Sequence, residues 1–520
     1  MLSREAFVQN GFIGPLRLLT ADRAHFFARH FAGAPEQRPV WRKSLATIDP
    51  LAYQIATSSV LLDELRDLLG NDIILWGASV VIKQPGEVHR WHCDIESCAS
   101  SGGHVSVWIG LLNTQQGSAL RLVRGSHAFG MPLQELTARE QVSRADRSDE
   151  LILRLAAEQN DGADIAEPDV TDGEAIFFDG RIWHDAQNAL RDEPRLALLL
   201  QYARADIPVR VPDFRNLEWP FQFKDNVRPP VLCVSGDADG EANDIVAPPT
   251  VRSHRDIVPA AHAIARNLSC KDGTPFMPVS CFEGRTANVD SLECHYSVLM
   301  PGYSPHPPHA HLDEEILVVM NGAAELVVPK TKEDEAPQIF AAPAGTAIYY
   351  PSFQLHTIRN VSTEPVSYAM LRWKSGTLGE RQSLTPQLIQ WTWVRKQVRG
   401  PLSMTPLLDG PTGFLDKLHA HVTRIQPGAG YAAHRDTHDV AIFLIEGDIA
   451  VLGRPIAAPA VVFLPAGCLH DMKAAGAQPA KYLVWELHGH AAEIAPARDA
   501  LGVNPTPLRD AHALAREMPT

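Results

Sequence analysis

The sequence has no long hydrophobic run and no apolar leader. No stretch of about 18 or more consecutive apolar residues occurs, the length that a membrane-spanning helix needs. The N-terminal segment Met1-Leu2-Ser3-Arg4-Glu5 also lacks the apolar core of a secretory signal. Both absences argue against a membrane or secreted protein, so we expect a cytoplasmic one.

Cysteine is scarce and irregularly placed. The seven cysteines form neither a CxxC zinc pattern nor a disulfide framework, and their number is odd. Reduced thiols are therefore expected, which fits a cytoplasmic protein. The cysteines are Cys93, Cys98, Cys233, Cys270, Cys281, Cys294 and Cys468.

Basic residues are outnumbered and do not cluster. The chain has 47 Lys and Arg against 61 Asp and Glu, a formal net charge of −14 at pH 7. This balance argues against nucleic acid or an anionic membrane as a partner and leaves a small-molecule substrate. Apolar residues make up 45% of the 520 residues, which is enough to bury real cores in about two to four domains.

A His-x-Asp tripeptide, His92-Cys93-Asp94, is the first motif that carries chemistry. Residues two apart in a strand point to the same face, so His92 and Asp94 would aim an imidazole and a carboxylate at one metal. His184 would add a second imidazole. Two His and one carboxylate leave three coordination positions open, as an Fe(II) oxygenase requires.

The sequence around these residues resembles the phytanoyl-CoA dioxygenase family of 2-oxoglutarate-dependent oxygenases over roughly the first 215 residues. The segments that carry the resemblance are 80–86, 106–111, 117–127, 173–184 and 195–202. The resemblance implies a double-stranded β-helix, Fe(II) held by His92, Asp94 and His184, and 2-oxoglutarate and O2 as cosubstrates. It also implies that Arg195, eleven residues after His184, binds the distal carboxylate of 2-oxoglutarate through its planar guanidinium.

The family resemblance has further implications for single residues. Trp108 stands where the family has an aromatic beside the cosubstrate, with core packing as the alternative. Ala186 replaces a serine that contacts 2-oxoglutarate in the family. Relatives that halogenate have a small residue in place of the Asp, so Asp94 favours hydroxylation, desaturation or another oxidation. His89, outside the ligand spacing, is interpreted as a loop or structural residue, as are His104 and His127.

The C-terminal half contains an internal repeat of short strands separated by Gly and Pro, typical of barrels. Its first copy resembles the paired motifs of cupins, which are small jelly-roll barrels. The motif residues are Gly302, His309, His311, Glu315, Gly322, Gly345, Pro351, His356 and Asn360. In cupins the three His and the Glu bind one metal, here Fe, Mn, Co, Ni, Cu or Zn. Residues 309, 311 and 315 share a strand face, whereas Glu314 points away. His306 is an alternative donor, and Phe353 replaces the usual second-motif Gly.

The second copy is degenerate. Counting back from Gly447 as Glu315 stands to Gly322 gives Val440, so the acidic ligand is lost. His434, Asp436 and His470 remain as a candidate metal set, with His438 as a further donor. The alternative is a scaffolding or substrate-binding barrel.

The predicted fold class is mainly β: an N-terminal jelly-roll oxygenase domain with flanking helices, followed by two cupin barrels. A capped helix is expected over residues 20–31, with Thr20 as its N-cap. The predicted divisions are an oxygenase domain (1–232), a linker (233–256), cupin 1 (257–380), a connector (381–412), cupin 2 (413–490) and a C-terminal tail (491–520).

These features predict a bifunctional metalloenzyme. A small metabolite would be hydroxylated at the N-terminal iron and processed further at cupin 1 by a second oxidation, decarboxylation, isomerisation or cleavage. The alternative is a single oxygenase activity, with the two cupins as a non-catalytic module for dimerisation or ligand binding. A homodimer through the cupin barrels is expected.

Overall fold

The computed structural model describes residues 3–32, 41–98, 102–115, 117, 119–189, 192–213, 215–238, 240–250, 253, 255–264, 274–329, 336–379, 383–390 and 400–490. The chain divides into two compact units, Met1–Thr250 and Val251–Thr520. The predicted C-terminal tail, 491–520, and the Trp-rich centre of the predicted connector, Trp391-Thr392-Trp393, lie outside the described residues.

In the first unit the described residues form eight α-helices and eleven strands. The helices are α1 (Arg4–Asn10), α2 (Ala21–Ala32), α3 (Leu45–Ile48), α4 (Pro50–Ala56), α5 (Ser59–Leu69), α6 (Ile95–Cys98), α7 (Leu133–Arg139) and α8 (Asp149–Ala157), with 3-10 turns at Ser126–Ala128 and Arg144–Asp146. The strands are β1 (Phe12–Arg17), β2 (Ile73–Lys83), β3 (Val88–His92), β4 (His104–Leu112), β5 (Leu120–Val123), β6 (Ile165–Ala166), β7 (Glu174–Asp179), β8 (His184–Gln187), β9 (Arg195–Arg204), β10 (Pro230–Ser235) and β11 (Asp244–Ile245). None of the described helices is long and apolar enough to cross a membrane.

Local signals account for the helix ends. The predicted helix is α2, where the amide of Arg23 donates to Thr20 Oγ1 at 3.4 Å. Its apolar positions 24, 27, 28 and 31 are buried, as their helical spacing requires. Asp49 caps α4 by accepting from the amides of Leu51 and Ala52, each at 2.9 Å.

The strands of the first unit form two facing sheets of a jelly roll. The larger sheet has the order β1-β7-β4-β9-β2-β10-β11 and the smaller one β3-β8-β5-β6. The core between them contains Trp108 and Phe178 from the larger sheet and Leu120 and Leu122 from the smaller one. The metal motifs His92 and His184 lie on the smaller sheet, where β3 pairs antiparallel with β8.

The predicted linker, 233–256, begins too early. Residues 230–235 form β10, which pairs antiparallel with β2, and β11 pairs with β10 in parallel. The reason is apolar burial: Val231 belongs to a core cluster with Trp41 and Trp76. The small and acidic composition that follows does not reveal that the strand before it extends to Ser235.

In the second unit the described residues form nineteen strands. The strands are β12 (Ala260–Ala263), β13 (Phe276–Gly284), β14 (Ser291–Leu299), β15 (Glu314–Asn321), β16 (Ala323–Val328), β17 (Gln338–Pro343), β18 (Ala347–Tyr350), β19 (Thr357–Arg359), β20 (Val366–Lys374), β21 (Gln387–Ile389), β22 (Leu402–Gly410), β23 (Lys417–Ile425), β24 (Gly430–His434), β25 (Asp439–Glu446), β26 (Asp448–Val451), β27 (Arg454–Ala457), β28 (Ala460–Leu464), β29 (His470–Ala474) and β30 (Ala480–His488).

These strands form the two cupin barrels. The first combines the sheets β13-β14-β20-β15-β18-β21 and β17-β16-β19 around a core that includes Leu317, Leu326 and Tyr350. The second combines β12-β28-β25-β30-β23-β22 and β24-β29-β26-β27 around Ile442 and Met472, among others. The mainly β fold with three jelly rolls is therefore as predicted.

The two barrels exchange edge strands. β12, which the sequence predicts to lie in cupin 1, pairs with β28 of the second barrel. β21, in the predicted connector, pairs with β18 of the first barrel. A pair of hydrogen bonds joins the barrels as well, because Thr412 donates to Glu314 and Thr286 donates to Asp439, both at 2.5 Å.

Candidate metal centres

The N-terminal candidate site lies where β3 ends and β8 begins. His92 and His184 are direct partners in the β3–β8 ladder, and their ring centroids are 4.3 Å apart. Asp94 follows β3 by two residues. One ligand atom from each of the three side chains lies within 4.8 Å of the other two, so the structure brings the three predicted iron ligands together.

The two imidazoles are oriented by their own backbone. The Nδ1–H of His92 donates to the carbonyl of Arg90 at 2.9 Å, and the Nδ1–H of His184 donates to the carbonyl of Ile182 at 3.0 Å. A carbonyl only accepts, so Nδ1 carries the proton and the Nε2 lone pair is available for a metal. Burial lowers the pKa of His92 well below its usual range, which keeps this ring neutral.

The carboxylate of Asp94 is held by two side chains that the sequence did not single out. Gln201 Nε2 donates to Asp94 Oδ2 at 2.9 Å, and Ser106 Oγ donates to the same oxygen at 3.4 Å. Gln201 and Ser106 face each other across the β4–β9 ladder. With Oδ2 held from behind, Oδ1 remains to bind a cation. The sequence signal that could have identified Gln201 is its place as a polar residue within the otherwise apolar run of β9.

Arg195 is fully buried at the start of β9. Its guanidinium lies over the ring of Trp108, 5.2 Å from the centroid. Burial lowers the pKa of Arg195 to about 10, and the charge of Glu87 offsets this in part. A buried cation favours the arrival of an anion, so this position suits a carboxylate. Trp108 is itself buried in the core, which makes it both a packing residue and the surface on which Arg195 lies.

The histidines interpreted as structural differ in their surroundings. His127 donates through Nε2–H to the carbonyl of Val8 at 3.0 Å. His89 instead stacks on His92, with ring centroids 4.4 Å apart and planes 10° apart. It therefore helps to fix the orientation of a predicted ligand. Cys93 is fully buried and accepts from the amide of Leu133, as expected of a packing residue.

The first barrel brings its four predicted ligands together. His309, His311 and His356 offer ligand atoms within 4.8 Å of one another. Glu315 Oε2 lies 3.4 Å from His311 Nε2, and Glu315 Oε1 lies 3.6 Å from His356 Nε2. His309 and His356 also pair through their backbones, which fixes the loop of the first motif against the second.

The charge on Glu315 suits the four side chains of the first barrel to binding a cation. Burial favours the neutral carboxyl, yet the neighbouring imidazoles of His311 and His356 lower the pKa of Glu315 below its usual range. Burial opposes a charge on His356 too, but Glu315 raises the pKa of that imidazole. The carboxylate therefore stays ionised beside three imidazoles, which is a donor set that a divalent transition metal prefers.

Three residues near this set complete the description. His306, the alternative donor, lies beside His309 with ring centroids 4.0 Å apart. Tyr350, which the sequence did not indicate, stacks on His356 at 4.2 Å and 16°. Phe353 adopts φ 62°, so it takes the left-handed conformation for which the family uses glycine at this position.

The second barrel also brings its predicted residues together. His434, Asp436 and His470 offer ligand atoms within 4.8 Å of one another. Asp436 Oδ2 lies 3.6 Å from His434 Nε2 and 3.5 Å from His470 Nε2. The three residues and the apolar Val440 line a cavity of about 290 Å³. The barrel thus has an interior space with polar and apolar walls.

Comparison with known proteins gives a family for the N-terminal part. Residues 17–197 match the family model described as phytanoyl-CoA dioxygenase (PhyH), and this range includes His92, Asp94, His184 and Arg195. No curated protein matches the chain significantly in sequence.

Similarity to solved structures is distant. An oxalate decarboxylase–formate complex from Lactobacillus farciminis has 11% identity and TM-score 0.34, covering 46% of this chain and 88% of that one. A glyoxylate-induced protein of Pseudomonas aeruginosa has 15% identity and TM-score 0.33, covering 42% and 81%. A non-heme monooxygenase has 18% identity and TM-score 0.33, covering 47% and 87%. At these scores the similarities carry no argument about activity. The family match places a phytanoyl-CoA dioxygenase domain at residues 17–197 of a chain that continues into two cupin barrels.

Proposed function

We propose that the N-terminal domain hydroxylates a small organic metabolite, using Fe(II), 2-oxoglutarate and O2. The observation that carries this proposal is the convergence of His92, Asp94 and His184 within 4.8 Å, with each side chain oriented from behind. Iron bound there, together with 2-oxoglutarate and O2, would supply the oxidant. Two imidazoles and a single carboxylate leave coordination positions open for both cosubstrates.

The residues of this chain would position the reactants. Arg195 would bind the distal carboxylate of 2-oxoglutarate, because a buried guanidinium gains most from a bidentate anion. Trp108 would support the guanidinium on its ring and exclude water from one side. Gln201 and Ser106 would hold Asp94 so that it presents one oxygen to the metal.

We further propose a second metal-dependent step at the first cupin barrel. Its support is the set of three imidazoles and an ionised carboxylate in His309, His311, His356 and Glu315. The step would be a further oxidation, decarboxylation, isomerisation or cleavage of the oxygenase product. The alternative is a non-catalytic bicupin that binds a ligand or a second copy of the chain.

The first test is an anaerobic titration of metal-stripped protein with Fe(II) and 2-oxoglutarate, followed by the visible charge-transfer band of the chelate. Wild type is compared with His92→Ala and His309→Ala. Loss of the band only in His92→Ala supports the N-terminal centre. No band in wild type, with iron bound through His309, would move the chemistry to the cupin.

The cupin step is tested by product analysis under turnover. Wild type and His309→Ala would be compared for succinate release and for the final product. Equal succinate with a different final product supports a second step. An unchanged final product, from a His309→Ala protein that has lost its cupin metal, would favour the non-catalytic module.

A further inference from the structure

The second barrel contains two further groups of potential metal ligands besides the predicted His434, Asp436 and His470. Both include Glu486, one with His419 and His421 and the other with His438 and His488. His419, His421 and Glu486 offer ligand atoms within 4.8 Å of one another. All three are nearly fully buried, with 6%, 5% and 5% of their surface exposed. Sequence comparison with the cupin motif passes over them because they lie on β23 and β30, outside both motif segments.

The cluster follows from strand geometry. His419-Ala420-His421 is the second His-Ala-His of the chain, after His309-Ala310-His311. Within β23 the two imidazoles share a face, and His419 is the direct ladder partner of Glu486 on β30. Residues opposite each other on one face have Cβ atoms about 4.5–5.5 Å apart, which is close enough for a shared ion.

Comparison of the two barrels shows that the second has a carboxylate on a different strand. Gly322 follows β15 and Gly447 follows β25, with φ 81° and 79°. Aligning these two glycines places Val440 at the position of Glu315. In the first barrel Glu315 pairs with Arg372, and in the second Val440 pairs with Glu486. The carboxylate is therefore absent from β25 but present on the adjacent strand, on the same face of the barrel.

The same comparison shows a difference in charge at a second pair of corresponding positions. In the first barrel Arg372 forms an ion pair with Glu293, its ladder partner on β14. The corresponding pair in the second barrel is Glu486 with His419. An arginine repels a cation, whereas an imidazole and a carboxylate bind one. The position of Arg372 in the first barrel thus has a carboxylate, Glu486, in the second, and that of Glu293 has an imidazole, His419.

Neighbouring side chains orient the cluster. Asp409 lies 2.9 Å from His419 Nδ1, so the proton is on Nδ1 and the lone pair is on Nε2. His488 Nε2 lies 3.2 Å from Glu486 Oε2. Glu486 Oε1 lies 3.7 Å from His421 Nδ1, which is beyond hydrogen-bond distance. Two ligands of one ion lie about 3–3.5 Å apart when metal bonds are about 2.1 Å, so a small adjustment would suffice.

We propose that Glu486, His419 and His421 bind a divalent transition metal ion in the second barrel. His421 and Glu486 also line the cavity of about 290 Å³, so an ion there would be open to a small ligand. His434, Asp436 and His470 line the same cavity from the other sheet. The second barrel is then a metal centre with a relocated carboxylate rather than an inert copy.

The test measures Co(II) binding by the full-length chain, with stoichiometry by elemental analysis and coordination by visible absorption. The variants Glu486→Gln and Glu486→Arg should each bind about one equivalent of Co(II) less than wild type. Arginine is chosen for the second variant because Arg372 stands at the corresponding position of the first barrel. Glu446→Gln is the matched control, since it removes an exposed carboxylate of the same barrel that pairs with Lys481. Asp436→Asn leaves the proposed ligands unchanged, so it should still bind the equivalent of Co(II) that is lost in Glu486→Gln.

Crystals of wild-type protein soaked in Co(II) give the position directly, without a variant that must fold. An anomalous peak between Glu486, His419 and His421 is expected. A peak in the second barrel only between His434, Asp436 and His470, or only between His438, Glu486 and His488, would overturn the proposal. So would equal stoichiometry in wild type and a folded Glu486→Gln. The charge-transfer band of the N-terminal iron should be the same in all these variants, which separates this result from the fate of the proposed oxygenase activity.

Discussion

At the residue scale, the candidate ligands share one orienting device. Five of them direct the Nδ1–H to the carbonyl of the residue two positions earlier, so that Nε2 faces the site. They are His92, His184, His356, His434 and His470. The contact is built into the strand itself and needs no partner from elsewhere in the fold. Sequence spacing could therefore place these side chains without knowledge of the tertiary structure.

Asp94 has no such local support and depends on Gln201. Gln201→Leu removes the 2.9 Å bond to Oδ2 while keeping a similar volume, so Fe(II) affinity should fall about tenfold to a hundredfold. Calorimetric titration with Fe(II) under anaerobic conditions measures it. Ser106→Ala is the control with a longer bond of 3.4 Å, and its effect should be smaller. Wild-type iron affinity in Gln201→Leu would show that Asp94 needs no positioning.

Arg195 should govern the cosubstrate and not the metal. Arg195→Lys keeps a charge but loses the planar pair of donors, so the KM for 2-oxoglutarate should rise about tenfold or more, with Fe(II) affinity unchanged. Succinate release against 2-oxoglutarate concentration measures this. Arg204→Lys, at the exposed end of the same strand, should behave as wild type. An unchanged KM in Arg195→Lys would remove Arg195 from the cosubstrate site.

Sequence could not predict the contacts that join distant residues. Gln201 lies 107 positions from Asp94, and only the β4–β9 pairing brings it beneath the carboxylate. Tyr350 reads as a core residue of β18, and its stacking on His356 depends on how the two motifs meet. The ligands themselves were accessible because strand alternation is a local property.

At the element scale, the sequence predicted where strands occur better than it predicted which strands pair with each other. Short apolar runs bounded by Gly and Pro marked the strands of both barrels, but no local feature of β12 or β21 specifies which barrel it joins. The β12–β28 ladder joins residues about 200 positions apart in the sequence, and the β18–β21 ladder joins residues about 40 positions apart.

The contribution of β12 to the second barrel can be measured. Ala261→Pro removes a backbone N–H and constrains φ within a strand paired to β28, so the second unit should unfold several degrees lower. Differential scanning calorimetry of the full chain reports this, with Ala261→Ser as a control that keeps the N–H. An unaltered transition in Ala261→Pro would mean that β12 adds little to the barrel.

At the scale of the whole molecule, the first unit contains every residue assigned to the oxygenase. His92, Asp94, His184, Arg195 and Gln201 all lie within Met1–Thr250. A fragment of residues 1–250 should therefore give the same Fe(II)–2-oxoglutarate band as the full chain. A fragment with a native circular dichroism spectrum but no band would show that the second unit contributes to the site.

Exchange of β12 and β21 has a consequence for how this protein can change. A cut between β20 and β21 leaves each barrel without one strand of its sheet, and a cut between β21 and β22 still separates β12 from the second barrel. Either cut exposes an unpaired sheet edge, which favours aggregation. Deletion of the first barrel would remove β12 from the second, and deletion of the second would leave β12 without its partner β28. We therefore expect the two barrels to be retained together, so that the second would persist even in a lineage that used only the metal site proposed in the first.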